Sequence, residues 1–402
     1  MKNCTKKLVS FVLVAAMSLA ISIPGFAKGN TNSLKDSGVK DSSAISYISE
    51  ADAILLAKQC IVQQIKAGSH CPWNSTTKIR ETVKFYDFNE QINAYLFRLI
   101  TKNEKQGYVF VDANRYNPCV QAFGYDCNFM LDQVNMRNTN RVTSSNNHII
   151  YGGGLTFLKK GNDSKVKNVL TNFIENYSLD TLEQTYQESI LKNKSVKAKE
   201  DLNQLIRNTQ VYSQEIYDSD DVDNIWKSKV YVTGDFSQAN DCAPTACTSF
   251  IYYWSHARPN PQIGLWGGRS ASFVESALYS HLKTNIATPG TLPENIIPGL
   301  SAYSLGCGLR VKGSDERVLA NNFNWTWFTA NIHNNIPIII TVALDPIYQQ
   351  HVMLAVGYQT TSTGAYLRVA DGWARSYSNF YKITDESGNR LDHMIHGCYT
   401  RW

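Results

Sequence analysis

Cys242 is the residue of this chain whose setting most suggests chemistry. It lies between an Asn-Asp turn and an apolar, aromatic-rich run in the stretch SQANDCAPTACTSFIYYW, residues 237–254. The run predicts a helix over about 242–256 that enters a core, with the cysteine at its start. A helix N-terminus offers free N–H groups and the positive end of the helix dipole, and both lower the pKa of a thiol. We therefore expect Cys242 to be a nucleophile with a lowered pKa, not a buried structural cysteine.

A nucleophilic cysteine needs a base that takes its proton and a third group that orients the base. His351 begins an apolar strand, QHVMLAVGYQ, and Asp371 ends the next predicted strand, in RVADGWA. If 351–359 and 365–371 pair as a hairpin, the two side chains lie near the same end of adjacent strands and within reach. The ordinary alternatives are a core or strand-end histidine and an aspartate that forms a turn before Gly372.

Gln238 is a candidate oxyanion donor, because it precedes Cys242 by four residues. Its amide could donate to an oxyanion beside the backbone N–H of the cysteine. No Cys-x-x-Cys occurs and no Cys/His cluster has the spacing of zinc ligands. The pair His393 and His396 is better explained as exposed residues near a strand. We therefore predict neither a metal nor a cofactor.

The first 27 residues predict a signal peptide. Three lysines precede an apolar run from Leu8 to about Ile23, and the small residues Gly25 and Ala27 follow. A membrane anchor is the alternative, but the run is short for a bilayer and ends in Pro-Gly. We expect a bacterial protein that is secreted, extracellular or attached to the cell wall, with no stable membrane span after cleavage. The net charge of +5 is too small to predict nucleic-acid binding.

Export changes the interpretation of the nine cysteines. In an oxidising compartment the four in the first half of the mature chain permit two disulfides, whose pairing the sequence leaves open. These four residues are Cys60, Cys71, Cys119 and Cys127. In the second half, a free Cys242 leaves an odd number, three: Cys247, Cys307 and Cys398.

The rest of the chain divides by pattern into a small domain, a connecting region and a larger domain. Residues 28–46 are a polar spacer, and 47–160 predict one helix at about 50–67 packed on about four antiparallel strands between 78 and 123. Residues 161–229 predict a helical and acidic linker. Residues 230–402 form the larger domain, with further helices expected at about 271–284 and 326–334 before a strand-rich tail. Both domains predict the α+β class.

The order of the candidate residues resembles that of papain-like cysteine peptidases. HVMLAVGY is similar to the histidine strand of that superfamily, and DGWA is similar to its Asn-Ser-Trp-Gly segment. NDCAPTACTSFIYYW looks closest to bacterial peptidases that process double-glycine leaders, although Ala243 replaces the usual glycine and the Gln–Cys spacing is short. The resemblance covers about 230–402 and implies a papain-like fold, with the cysteine on a helix and the histidine and aspartate on an antiparallel sheet.

The same resemblance implies a role for each candidate residue. Cys242 would be the nucleophile, His351 the general base and acid, and Asp371 the residue that orients the imidazole. Gln238 would be the oxyanion donor, and Trp373 would shield the hydrogen bond between His351 and Asp371.

The first half is similar to the propeptide of streptopain-type peptidases in its strands YLFRLIT and GYVFV. Together the two resemblances imply a secreted cysteine endopeptidase made as a proenzyme, with a protein or peptide substrate and with its own N-terminal domain as a possible inhibitor. Acyl transfer of the transglutaminase type, hydrolysis of cell-wall amides and a catalytically silent surface-binding module remain the alternatives.

Overall fold

The computed structural model describes most of the chain after residue 46, in the ranges 47–67, 71–102, 104–114, 119–125, 129–131, 149–152, 157–160, 166–169, 216–238, 240–284, 290–318, 325–343, 350–362, 364–383 and 394–402. The predicted signal peptide and polar spacer lie outside the described residues. So do Cys127, His393 and nearly all of the helical part of the predicted linker. Within the described part, no helix is both long enough and apolar enough to cross a membrane.

The first half forms the predicted helix and strands. Ser49 starts the helix through a capping box: its hydroxyl accepts from the backbone N–H of Asp52 at 3.2 Å, and the Asp52 carboxylate accepts from the backbone N–H of Ser49 at 3.4 Å. The elements are α1 (Glu50–Ala67), β1 (Lys78–Tyr86), β2 (Ile92–Thr101), β3 (Glu104–Asp112), β4 (Cys119–Gly124) and the short strands β5 (Ile150–Tyr151), β6 (Phe157–Lys160) and β7 (Val166–Asn168).

The second half adds helices and longer strands. They are β8 (Ile216–Asp221), α2 (Cys242–Tyr252), α3 (Ala271–His281), α4 (Ile296–Gly306), β9 (Gly313–Val318), α5 (Trp325–His333), β10 (Ile338–Ala343), β11 (Gln350–Thr361), β12 (Gly364–Ala370), β13 (Asn379–Lys382) and β14 (Met394–Arg401). The three helices predicted here are confirmed as α2, α3 and α5, and α2 continues as a π-helical turn over Tyr253–Ala257. The mixed α+β class is confirmed.

One large sheet joins strands from both halves, in the order β7-β6-β5-β1-β2-β3-β4-β13-β12-β11-β10-β14-β9. All pairs are antiparallel except the short contact between β1 and β5. The hairpin predicted for the histidine strand is confirmed as β11 and β12, with Leu354 opposite Ala370 and a turn that begins only after Thr361. This pairing brings the start of β11 close to the end of β12.

The junction between the two halves is the antiparallel pairing of β4 with β13. Phe123 of β4 lies opposite Phe380 of β13, and their rings stack at 4.6 Å between centroids. A buried hydrogen bond from Gln64 of α1 to Gln359 of β11, 2.8 Å long, adds a second link. The predicted domain boundaries stay predictions, but strands from 47–160 and from 230–402 share one sheet.

The acidic stretch at 218–223 differs from its prediction as part of an exposed linker. It forms β8, which pairs with the distal half of β11 beyond the end of β10. Arg368 of β12 pairs with Asp221, and the following Val222 is fully buried. Gly357 permits this approach, because a Cβ there would lie 2.7 Å from the backbone oxygen of Asp220. Charged side chains are ordinary on such a strand, since its backbone forms the pairing whatever its side chains are.

Candidate active site

Cys242 is the first residue of α2, as predicted. The preceding Asn240 has a φ of 58°, a left-handed conformation that asparagine tolerates and that turns the chain sharply into the helix. Pro244 fits the first turn because its missing N–H would have no partner within the helix there. Almost the whole of α2 after Cys242 is buried, so its N-terminus is fixed against the sheet. The nucleophile therefore lies on a rigid support.

His351 lies at the start of β11, opposite Val342 of β10, and is only 3% exposed. Its ring stacks on the indole of Trp373, with the ring centroids 3.8 Å apart and the planes within 8°. Its Nε2 lies 2.6 Å from the main-chain oxygen of Asp371. A carbonyl oxygen only accepts, so Nε2 carries the proton and Nδ1 is the basic nitrogen of the neutral ring. The imidazole is thus fixed in one tautomer.

The sulfur of Cys242 contacts the backbone at the first residues of β11. The backbone N–H of Val352, the residue after His351, donates a hydrogen bond to the sulfur of Cys242. This contact places the sulfur beside the residue that carries the candidate base. The structure therefore places the Cys242 sulfur next to the backbone of the residue that follows His351, more than a hundred positions further along the chain.

The protonation states differ from the expectation of a lowered thiol pKa. The pKa of Cys242 is raised to about 11, mainly by burial and to a smaller degree by the nearby Asp241, while backbone N–H groups including that of Val352 oppose the rise. Burial also lowers the pKa of His351 to about 4, against the hydrogen bond to Asp371. Desolvation therefore outweighs the helix terminus here. At neutral pH the structure holds a neutral thiol beside a neutral imidazole.

Asp371 reaches His351 through its backbone, which corrects the predicted role of its side chain. Among the described residues its carboxylate has four hydrogen-bond donors and none is His351. They are the backbone N–H groups of Trp373 and Ala374, both at 2.8 Å, the hydroxyl of Tyr381 at 2.9 Å and the amide of Asn379 at 3.1 Å. Burial raises the pKa of this carboxyl above its usual value, and these donors oppose the rise. The carboxylate folds the turn that carries the acceptor oxygen to the imidazole.

Gln238 is exposed, and its amide donates to the hydroxyl of Ser276 on α3 at 3.4 Å. The structure therefore directs this side chain toward α3, and its predicted role as the oxyanion donor has no support in this geometry. Trp373 covers one face of the imidazole, close to the hydrogen bond that it was expected to shield. The roles of both residues in a reaction stay predictions.

The comparison with known families concerns the second half of the chain. Residues 229–394 match the Peptidase_C39 like family. The match supports a cysteine peptidase of the papain-like type, and hence a hydrolase, and it spans Cys242, His351 and Asp371. No curated protein matches the chain.

Five further thiols form no disulfide with one another within the described residues: Cys60, Cys71, Cys247, Cys307 and Cys398. Within the described residues, no group of three or more His, Cys, Asp or Glu side chains is placed to hold a metal ion.

Three residues of the site were not predicted from the sequence. Val352 acts through its backbone, which residue type does not reveal. Asn379 and Tyr381 lie in the segment SNFYK, which carries no motif. Their alternation on β13 points both side chains to one face of the sheet, but only the pairing of β13 with β12 brings that face to Asp371.

Proposed function

We propose that the chain is a secreted cysteine endopeptidase made as a proenzyme, with Cys242 as nucleophile and His351 as general base and acid. The observation that carries the proposal is the hydrogen bond from the Val352 backbone to the Cys242 sulfur, beside an imidazole whose Nδ1 is basic. The Peptidase_C39 like match over residues 229–394 supports the same reaction class.

The neutral resting pair sets the order of the steps. Nδ1 of His351 takes the thiol proton as the sulfur attacks the peptide carbonyl, because neither group is charged beforehand. The resulting imidazolium gives this proton to the leaving amine, and the C–N bond breaks to leave a thioester on Cys242. Water then attacks the thioester, giving its proton to Nδ1, and the proton returns to the departing sulfur. The main-chain oxygen of Asp371 holds the Nε2 proton throughout.

The burial of the site supports a latent form. His351 is 3% exposed and covered on one face by Trp373, and Cys242 is only partly exposed. A peptide carbonyl needs access to the sulfur beside Nδ1, so substrate entry requires the site to open. A site that must open before it can act is the behaviour expected of a proenzyme. We propose the N-terminal half, which is joined to the second half through β4 and β13, as the inhibitor.

The acidic end of the predicted linker, residues 207–229, is where we expect the activating cleavage. Loop-like exposed segments are where proteolysis concentrates. Residues 216–221 pair with β11, and Val222 and Ile225 are buried, so a cut there would disrupt the sheet. We propose cleavage between residues 207 and 215, which lie outside the described residues, with β8 retained by the mature fragment.

The test compares Cys242→Ala with Cys307→Ala, which removes a partly buried thiol directed at the backbone oxygen of Leu265. The Cys242 variant should lose peptide hydrolysis and accumulate as the unprocessed chain, with little change in its melting temperature. The Cys307 variant should keep both the hydrolysis of peptides and the processing of its own chain. Hydrolysis retained by the Cys242 variant would contradict the assignment.

The same assays separate the alternatives. Transfer of the acyl group to an added amine would instead indicate a reaction of the transglutaminase type, and hydrolysis of cell-wall amides alone would indicate an amidase. Iodoacetamide labelling that does not depend on His351, without any hydrolysis, would indicate a silent binding module.

A further inference from the structure

A pocket of about 400 Å³ lies beside the segment that leads into α2. Its walls come from residues 235–238, before the nucleophile, and from one face of α3, and they include Gln238, Ser272, Glu275 and Ser276. A larger cavity of about 630 Å³ shares Asp235, Phe236 and Ser272 with it and opens to solvent. A side chain of a bound peptide therefore has a route into the pocket.

Glu275 is an uncompensated acid in the wall of this pocket. The residue is 2% exposed, and its Oε1 has no hydrogen-bond partner among the described residues. Burial raises its pKa to about 7. A buried carboxylate without a partner is costly, and side chains of this type are normally paired when they are buried. The proposed reaction does not use Glu275, so its position needs another explanation.

The surroundings of Glu275 are acidic as well. Asp235, in the same lining, is already paired with Arg375. After burial, Glu275 and Asp241 are the causes that raise the pKa of Tyr279, one turn further along α3. Glu275 shares the pocket wall with Gln238, which precedes Cys242 by four residues, so the pocket lies near the start of α2. No lysine, arginine or histidine is among the residues of the lining that the structure describes.

We propose that this pocket is a substrate subsite that binds the side chain of a lysine or arginine through the Glu275 carboxylate. The inference rests on the proposed function, because it names the peptide class that the same site would cleave. A bound cation would supply the partner that Glu275 lacks, and the serine hydroxyls of the wall would accept from the remaining N–H groups. Specificity for basic residues follows because their positive charge pairs with the Glu275 carboxylate, which is buried in the free protein.

The test uses a peptide set in which a single lysine or norleucine moves through each position around the cleaved bond, assayed with the full-length protein before and after processing. At one position kcat/KM should favour lysine by about tenfold or more, as expected for a close charge pair. Glu275→Gln should abolish that preference while keeping hydrolysis of the norleucine peptides. The matched control is Glu294→Gln, which removes an exposed carboxylate and should leave the preference intact. An unchanged preference in Glu275→Gln, or no preference for basic residues at any position, would overturn the proposal.

The pH dependence gives a second readout. Glu275 is largely protonated below its pKa of about 7, so the preference for lysine should rise between pH 6 and 8 in the wild type and be absent at both pH values in Glu275→Gln. The other charged or titratable groups near this pocket stay in both proteins: Asp235 of the same lining with its partner Arg375, and Asp241 and Tyr279. A preference that does not change over this range would count against Glu275 as its source.

Binding without catalysis separates this proposal from the proposed function. Nα-acetyl-lysine amide should raise the melting temperature of the Cys242→Ala protein, and the double variant with Glu275→Gln should show no rise. If no peptide is hydrolysed but this difference is found, the pocket proposal stands and the peptidase proposal fails. If peptides are hydrolysed but the amide stabilises both proteins equally or neither, the pocket proposal fails alone.

Discussion

The role of Asp371 gives the sharpest test of how the site is held together. If its carboxylate oriented the imidazole directly, Asp371→Asn would lower kcat without changing stability. The structure instead predicts that every Asp371 variant keeps the main-chain oxygen that accepts from His351. What changes is the turn at 371–374, because the carboxylate accepts from the N–H groups of Trp373 and Ala374. Activity and stability should therefore fall together.

The magnitudes follow from the four donors on the carboxylate. Asp371→Ala leaves all four donors without their acceptor, and each one that stays buried lowers the free energy of unfolding by about 1–3 kcal/mol. We therefore expect either a large loss of stability or a rearranged turn, in which kcat falls by at least about a hundredfold. Asp371→Asn keeps an oxygen for the two backbone N–H groups, and its new amide can donate to the Tyr381 hydroxyl. It loses mainly the bond from Asn379 and should cost about 1–2 kcal/mol.

Tyr381→Phe is the decisive variant, because it removes one hydrogen bond to the carboxylate at 2.9 Å and leaves Asp371 and His351 untouched. It should cost about 1 kcal/mol of stability and lower kcat by about fivefold, with KM nearly constant. The matched control is Tyr399→Phe on β14, a partly buried tyrosine of the same sheet. The assays are steady-state kinetics and thermal unfolding of the same preparations. A kcat loss in Asp371→Asn with unchanged unfolding, together with full activity in Tyr381→Phe, would refute this account.

Three further outcomes are expected. Alkylation of Cys242 by iodoacetamide, followed by mass spectrometry, should accelerate by about tenfold per pH unit from pH 6 to 9, because the thiol pKa is raised to about 11; a plateau across this range would instead reveal a preformed thiolate. Arg368→Met should speed hydrogen exchange of the β8 amides at 216–221, since it removes the ion pair with Asp221, and unchanged exchange would show that pairing with β11 suffices. After cleavage between 207 and 215 the two fragments should elute together on gel filtration. Phe123→Ala should separate them, because deleting a buried phenylalanine ring costs about 3–5 kcal/mol of stability. Dissociation of the wild-type fragments would contradict the β4–β13 junction.

Much of the local structure could be predicted from the sequence. The capped start of α1, the aromatic strands β1 to β4 and the hairpin of β11 with β12 all follow from short-range patterns. Two features could not be predicted, for different reasons. Asp371 contributes a backbone oxygen to the imidazole, and residue type says nothing about which oxygen of an aspartate is used. The acidic composition of β8 indicates exposure to solvent, and composition does not register that its backbone pairs with β11.

The candidate residues could be predicted because their side chains carry distinctive chemistry. The residues that contact them carry no such signal and are recognised only from their positions in the structure. The pKa of Cys242 shows the limit of this reasoning. Its place at a helix N-terminus is visible in the sequence and favours a thiolate, but the burial that outweighs this effect depends on how α2 packs against the sheet. A hypothesis about a group can come from the sequence, while its charge state requires the packed structure.

The junction of β4 with β13 also constrains how the chain reaches this fold. Tyr108 of β3 donates to the amide oxygen of Asn379, 271 residues further along the chain, and Asn379 in turn supports Asp371. Contacts of such high sequence separation form late, because the entropy of closing the intervening loop must be overcome first. During synthesis the strands of the first half can pair with each other long before β13 leaves the ribosome. The candidate site is therefore expected to assemble last, on a sheet edge that the earlier strands already present, and a chain truncated before β13 should never become active.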